Sequence, residues 1–394
     1  MPEFRETIDV VEIVERARSL WRDARDRANA LGVELFAKAA VRRRVARDLQ
    51  PRIAASDSVY ETGLAVRLFS AGSDNAGFAA TSGLSSKVVR WAVDAAGNNA
   101  ARVTATAPAE SDPVAPARWD LDPATPHPSL ESLTAALEAH PELEWIEAGT
   151  TVEVIIGAGG WFAARRRLRL WALVGGPDGR LVAQRGIDGW ERLLDSTREA
   201  EPLIPSSKHA DSNVLELSPE AAAPLVAALV AEFHIREQSA VARFGRGWDV
   251  VDDPTLEEGL SGGTFDDVGF PAEKTILAEN GIWVGRLGGP GTFRRNSYRE
   301  PPVESACNLV MPAGAAASTP AARWTACRCR VLRISANVWV LGLESPATGR
   351  SAERERRWIR ARPQAIVGAC SARLGASRVT SEGPSVPSLI FDGL

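Results

Sequence analysis

Apolar residues recur at Val11, Ile13, Val14, Ala17, Leu20 and Trp21 within residues 8–30, the spacing of one helical face, while the opposite face carries charged pairs. Gly32 is placed to end that helix, and VELFAKAAV beyond it alternates as a strand does. The next stretch predicts a strand over 63–70, a hairpin turn over 72–75, its partner strand over 77–81, and a helix over 84–96 opened by a serine. Residues 105–129 are proline-rich and read as a long surface connection, with His127 a loop histidine between Pro126 and Pro128. A helix over 130–139 follows, then successive strands from 143 to 189, with GGPDG at 175–179 as a hairpin turn. In RRRLR, alternation puts Arg167 and Arg169 on one face and Leu168 and Leu170 on the other, so the arginine side is expected to be a solvated strand face.

Residues 199–212 read as the boundary between halves. Beyond it, a strand-like run, Val214–Leu217, ends at Ser218, a good helix cap, and Pro219 with Glu220 suits a first helical turn. Leu225, Leu229 and Phe233 then stack on one face; Pro224 cannot donate back to Glu220 and is expected to bend the helix. Asp252-Asp253-Pro254 and Thr264-Phe265-Asp266-Asp267 read as turns whose carboxylates hold backbone N–H groups, because the ligand alternation of a calcium loop is missing. Residues 274–287 predict a hairpin turned at Glu279-Asn280-Gly281. Strands are expected over 328–334, 337–344, 364–374 and 388–391, while SAERERRWIRAR is amphipathic as either helix or strand. The whole predicts an α+β chain: an N-terminal α/β domain with an antiparallel sheet (1–104), a linker and middle β-rich subdomain (105–205), and a β-rich C-terminal domain carrying one helix (206–394).

At 394 residues, 45% hydrophobic and 24% charged, the chain can bury a sizeable core. A net charge of −4 leaves no global basic field for nucleic acid. The start MPEFRETIDVVEIVER has no apolar leader core, and no run approaches the ~18 apolar residues of a membrane helix, so a cytoplasmic protein without membrane contact is expected. Cys307, Cys327, Cys329 and Cys370 are few for the length and fit a reducing compartment; Cys327 and Cys329 are expected to be buried or partly buried thiols on one face of a strand. Gly157-Ala158-Gly159-Gly160 does not have the spacing of a dinucleotide-binding turn.

The strand, the SPEAAA turn and the apolar helix resemble the opening of the C-terminal domain in the TldD/TldE (PmbA) family of paired bacterial peptidase subunits. GLAVR…GFAAT followed by a helix is similar to the family's N-terminal signature, and VVDDPTL…FDDVGFP…KTILAENGIWVGRL to its C-terminal one. GTFRRNSYREPPVESACNLVMPAG and the ending EGPSVPSLIFDGL resemble further family segments. In the family's catalytic member the helix reads LLHExxxH, two histidines holding zinc and a glutamate working on the bound water. Laid on Leu225 and Val226, those positions fall on Ala227, Ala228 and Glu232, and alanine offers neither a lone pair nor a proton. His234 and Glu232, two residues apart, diverge by about 200° on a helix, so His234 is expected to cap or pack. Cys370 lies about where catalytic members complete the zinc site with a cysteine, and reads as a relic.

What the resemblance implies is a TldE-like, non-catalytic subunit of a heterodimeric zinc metallopeptidase that processes unfolded or modified peptides. The zinc would come from a TldD-like partner, and no cofactor or metal is expected in this chain. The loop around 291–312 faces the peptide channel in family members, so Arg294, Arg295, Tyr298, Arg299 and Asn308 are the expected contacts to peptide or partner. The family's association with DNA gyrase implies no nucleic-acid role here, given the charge. Two alternatives stay open: a stand-alone peptide-binding or tailoring protein of a peptide natural-product pathway, and a cysteine hydrolase using Cys370 or Cys307.

Overall fold

Asp9 starts the first helix by accepting from the backbone N–H groups of Val11 at 2.8 Å and Glu12 at 3.4 Å, and α1 (Val10–Arg27) follows with its apolar stripe buried. The computed structural model describes residues 8–28, 32–47, 53–69, 75–98, 103–104, 118–122, 127–174, 180–185, 193, 214–236, 248–257, 259–285, 287, 291–295, 297–312, 324–335, 337–345, 355–379 and 385–392. The GGPDG turn, the boundary at 199–212 and residues 72–74 of the first expected hairpin turn lie outside them.

The first sheet contains β1 (Gly32–Arg47), β2 (Ile53–Phe69), β3 (Asn75–Ser82), β4 (Val103–Thr104), β5 (Arg118–Leu121), β6 (Leu143–Ile156), β7 (Phe162–Val174) and β8 (Arg180–Arg185). Its order is β4-β3-β2-β1-β6-β7-β5, with β8 also paired to β7; the β5–β7 pairing is parallel and the rest antiparallel. The sheet therefore runs across the 104/105 boundary drawn from sequence, because β6 pairs directly with β1. Strand β5 lies inside the stretch read as a surface connection. Strand β1 is longer than its apolar alternation suggested, since its arginines find cover: Arg43 donates to Pro128 O at 3.0 Å, and Arg44 stacks 4.4 Å from the Trp145 ring.

Alternation gives this sheet two unlike faces. Val33, Leu35, Ala37 and Ala39 pack under α1 and under α2 (Ser86–Asn98), which Ser85 caps through Val88 N at 3.4 Å. Further along the same side, α3 (Leu130–Ala139) covers Val45, Ile146, Leu168 and Leu170. Glu34, Phe36 and Lys38 point to the other face.

The second half has its own sheet, ordered β12-β11-β10-β15-β21-β9-β16 with β20 on β21. These strands are β9 (Val214–Leu217), β10 (Val250–Asp252), β11 (Thr275–Glu279), β12 (Ile282–Trp283), β15 (Leu309–Val310), β16 (Trp324–Ala326), β20 (Cys370–Val379) and β21 (Ser385–Asp392). A two-stranded ribbon, β13 (Phe293–Arg294) with β14 (Val303–Glu304), and a three-stranded sheet, β17 (Arg328–Ser335), β18 (Val338–Glu344) and β19 (Arg356–Ala361), complete it. Asn280 and Gly281 turn the β11–β12 hairpin with φ of 50° and 78°, the pair of positive values such a turn requires. The ambiguous SAERERRWIRAR contributes β19, because β18 offers it an edge. Of the strand expected over 364–374, the first part is instead α5 (Pro363–Ala369): Pro363 fits a first helical turn, and Ile366 and Val367 bury their side chains. Among the described residues no helix is long and apolar enough to cross a membrane.

Candidate functional site

The helix α4 (Pro219–Arg236) begins as its sequence dictates. Ser218 is buried, its backbone N–H donates to Ala326 O at 3.0 Å, and its Oγ accepts from Ala221 N at 3.4 Å. The helix continues through Pro224, and Leu225, Leu229 and Phe233 are all buried against Trp248, Trp283 and Trp324, worth about 1.5–3 kcal/mol each by area. Ala227 and Ala228 are half-buried and pack against that core, and Glu232 is buried. Arg333 donates to Ala228 O at 2.7 Å, which places a guanidinium beside the helix where a second cation would be repelled. His234 Nε2 lies 3.4 Å from Glu304 on β14. Cys370 is half-buried at the end of α5. Among the described residues no group of three or more His, Cys, Asp or Glu side chains converges as a metal site would, and methyl groups at 227 and 228 do not fit a zinc ion.

The dense chemistry of the molecule lies instead along the seam where residues 259–300 close over the polar face of the first sheet. Phe265 and Tyr298 enter an apolar patch of Phe36, Ala65, Ile155 and Ala163. Gly63 has no side chain because the Tyr298 ring occupies the space: a Cβ there would lie 2.2 Å from it. The Tyr298 hydroxyl reaches Ser82 Oγ at 3.1 Å and accepts from Arg299 Nε at 3.1 Å. Trp161 fills the corresponding space over Gly269, whose φ of 94° also requires glycine.

Around this patch runs a chain of buried ions. Glu34 accepts from Arg67 Nε at 3.1 Å and from Arg295 at 3.1 Å, and all three side chains are nearly inaccessible. Asp267 pairs with Arg165, which also pairs with Glu153, and its other oxygen accepts from Arg295 N. Arg167 pairs with Asp120 and donates to Gly262 O at 3.1 Å, while Asp120 accepts from Thr264 N at 2.7 Å. Arg118 donates to Gly269 O at 2.7 Å. Burial opposes the charge on Arg165, but Asp267 and Glu153 outweigh it and hold the guanidinium above its ordinary range. For Arg295 burial wins, with Arg67 adding to it against Glu34, and its pKa falls to about 10.

The aspartates behave as turn builders. Asp266 Oδ1 accepts from Val268 N and Phe270 N, each at 2.9 Å, and Oδ2 from Gly291 N at 2.9 Å and Phe293 N at 3.3 Å. Asp252 accepts from Cys307 N at 2.8 Å and Asn308 N at 2.9 Å. Asp253 accepts from the backbone and hydroxyl of Thr255. Burial pushes the Cys307 thiol up to about 11 and Cys329 up to about 12, so neither is a ready thiolate nucleophile at neutral pH.

The structure brings the five residues expected to touch peptide or partner into one neighbourhood and gives four of them internal work. Arg294 is buried and donates to Phe293 O at 2.9 Å and Gly291 O at 2.8 Å. Asn308 is fully buried, joining Asp253 O at 3.1 Å and Ser261 N at 3.2 Å. Arg295 and Tyr298 hold the seam as described, and Arg299 alone of the five is exposed. The arginines of β7 are a correction: Arg165 and Arg167 are not solvated, because the loops of the second half cover them. Glu34, a lone acid in an apolar strand, was the readable hint that this face has cationic partners. His127 is buried, and its Nδ1 lies 2.8 Å from Thr150 Oγ1.

No family sequence model matches the chain, and no curated protein does. Solved structures do. TldE from Thermococcus kodakarensis superposes with a TM-score of 0.62 at 14% identity, covering 96% of this chain and 98% of that one. A protein described as a modulator of DNA gyrase from Bacteroides thetaiotaomicron gives 0.60 at 13%, covering 96% and 97%. Another so described, from Thermotoga maritima, gives 0.57 at 13%, covering 96% and 98%. Over nearly its whole length the chain matches the fold of TldE and of TldD/PmbA-family structures.

Proposed function

We propose that this chain is the TldE-like, non-catalytic subunit of a two-subunit zinc peptidase that acts on unfolded or modified peptides, with the zinc supplied by a TldD-like partner. The observation that carries the reading is the pair Ala227 and Ala228 on a fully formed helix α4, within a chain that otherwise has the TldE fold. Two methyl groups cannot ligate a cation or move a proton, so what the chain contributes is shape and charge. The seam supplies both: a rigid wall of buried ion pairs with Arg299 exposed at its rim, where it can reach a peptide carbonyl or carboxylate. In this reading Arg294, Arg295, Tyr298 and Asn308 shape the wall rather than project from it.

The test is to produce the chain alone and together with an HExxxH-bearing relative from the same genome. The pair is expected to co-purify and to degrade an unfolded peptide, with each chain inactive alone. Stoichiometric zinc and peptide cleavage by the isolated chain would overturn the reading. Peptide binding by the chain with no zinc-bearing partner to be found would favour the stand-alone binding protein instead.

A further inference from the structure

On the polar face of the first sheet, the cations of β7 and β8 are matched with acids, with one exception. Arg165 pairs with Glu153 and Asp267, Arg167 with Asp120, and Arg185 with Asp122. Arg169 lies across from Gly149 on one side and Arg185 on the other, and its Nε is sealed from solvent with no hydrogen-bond partner. Burial pulls its pKa down; Glu153 opposes this, and Arg165 and Arg185 add to it. A guanidinium held this way is expensive unless something completes it, and the residue is still partly open.

The ground beside it is clear. Ala40 lies across from Thr151 and Arg42 across from Gly149, so small side chains floor the sheet between Lys38 and Arg169. The Trp171 ring lies against Gly149, where a Cβ would sit 3.0 Å from it. Across the seam, the loop bearing Cys307 lies within electrostatic reach of Arg169, and the buried Arg294 behind it also has a partnerless Nε. The result is a shallow trough floored by a strand surface, positive at both ends, opening along the seam.

We propose that Arg169, with Lys38 at the other end of the trough, anchors a carboxylate of the bound peptide. A planar fork suits a carboxylate bidentately, and the anion supplies the countercharge that the fold withholds. This rests on the reading of the seam as a peptide-holding wall. The carboxylate belongs either to a peptide C-terminus or to an acidic side chain.

The experiment uses the full chain and three fluorescein-labelled peptides of one neutral sequence: the free acid, the C-terminal amide, and the amide with one internal glutamate, read by fluorescence anisotropy. At least one carboxylate-bearing peptide is expected to bind about ten-fold or more tighter than the plain amide. Arg169→Met should erase that difference, and Lys38→Met should reduce it. Preference for the free acid alone assigns the C-terminus, and equal binding of the glutamate amide assigns a side chain. Equal binding of all three peptides overturns the anchor and leaves the wall intact; binding of none overturns the wall and the anchor together. Urea unfolding separates a structural role, since Arg169→Met should not lower the midpoint; a large drop would show that the guanidinium holds the fold, against the proposal.

Discussion

Replacing Glu34 by glutamine should cost this protein more than almost any other isosteric exchange, and the reason can be worked from the seam. The Glu34 carboxylate is shared by Arg67 and Arg295, with side-chain exposures of 1%, 4% and 2%. The two guanidinia otherwise face Phe69 and Phe36, at 5.3 Å and 4.8 Å from the rings. Glutamine keeps the shape and one acceptor but removes the only charge shared by both cations. Breaking a buried pair by deleting one partner costs about 3–5 kcal/mol, against a typical total stability of about 5–15 kcal/mol. Because Arg295 belongs to the second half and Glu34 to the first, the loss should fall on the docking of the two halves. Urea unfolding followed by fluorescence of the 12 tryptophans, with circular dichroism in parallel, would read it. We expect Glu34→Gln to lower the stability by about 3–5 kcal/mol, and the double variant with Arg295→Met to recover at least about 1 kcal/mol of the summed losses. The exposed pair Arg27–Asp94, at 2.6 Å, is the internal control: Asp94→Asn should leave the midpoint where it was. A loss under about 1 kcal/mol for Glu34→Gln, or strict additivity in the double variant, would refute the claim that charge pairing holds the seam.

Other consequences are equally direct. Burial, assisted by Arg43, lowers the pKa of His127 from 6.5 to about 4, so between those values the unfolded chain binds the proton and the folded one does not. Stability present above pH 6.5 should therefore be lost as pH falls toward 4, by about 3 kcal/mol, and His127→Gln should flatten that part of the profile; parallel profiles would contradict it. Gly63→Ala drives a methyl into the Tyr298 ring and should cost about 1–3 kcal/mol, but much less in a Tyr298→Ala background, which thermal denaturation of the four proteins would measure. Treatment with a strong zinc chelator should leave the melting midpoint of the isolated chain unchanged, whereas a fall of several degrees would reveal a metal that the helix residues give no means of holding.

Much of the fold was legible because its signals are local. Ser218 before Pro219 and Glu220 states a helix start within one turn, and the structure places the cap there. Asn280-Gly281 states a tight hairpin, and the backbone takes the positive φ values that those residues permit. The separated segments resembling TldD/TldE occur in family order, and the superposition on TldE covers 96% of the chain. Less was legible where a segment could satisfy two periods or where a neighbour supplied the missing partner. SAERERRWIRAR became a strand because β18 presented an edge, and residues 363–369 became a helix where alternation alone suggested a strand.

By itself, then, the sequence determined the chemical limits of the helix: Ala227 and Ala228 cannot ligate or transfer a proton in any fold, because the atoms for it are absent. Only the tertiary structure decided what the arginines are for. Arg165 and Arg167 look like a solvated face along the chain, yet Asp267 and Gly262 arrive from about a hundred residues away to enclose them, and Arg295 reaches Glu34 across 261 residues. Periodicity reports which way a side chain points relative to its own strand; whether water or another part of the chain meets it there depends on packing between segments that no local pattern encodes.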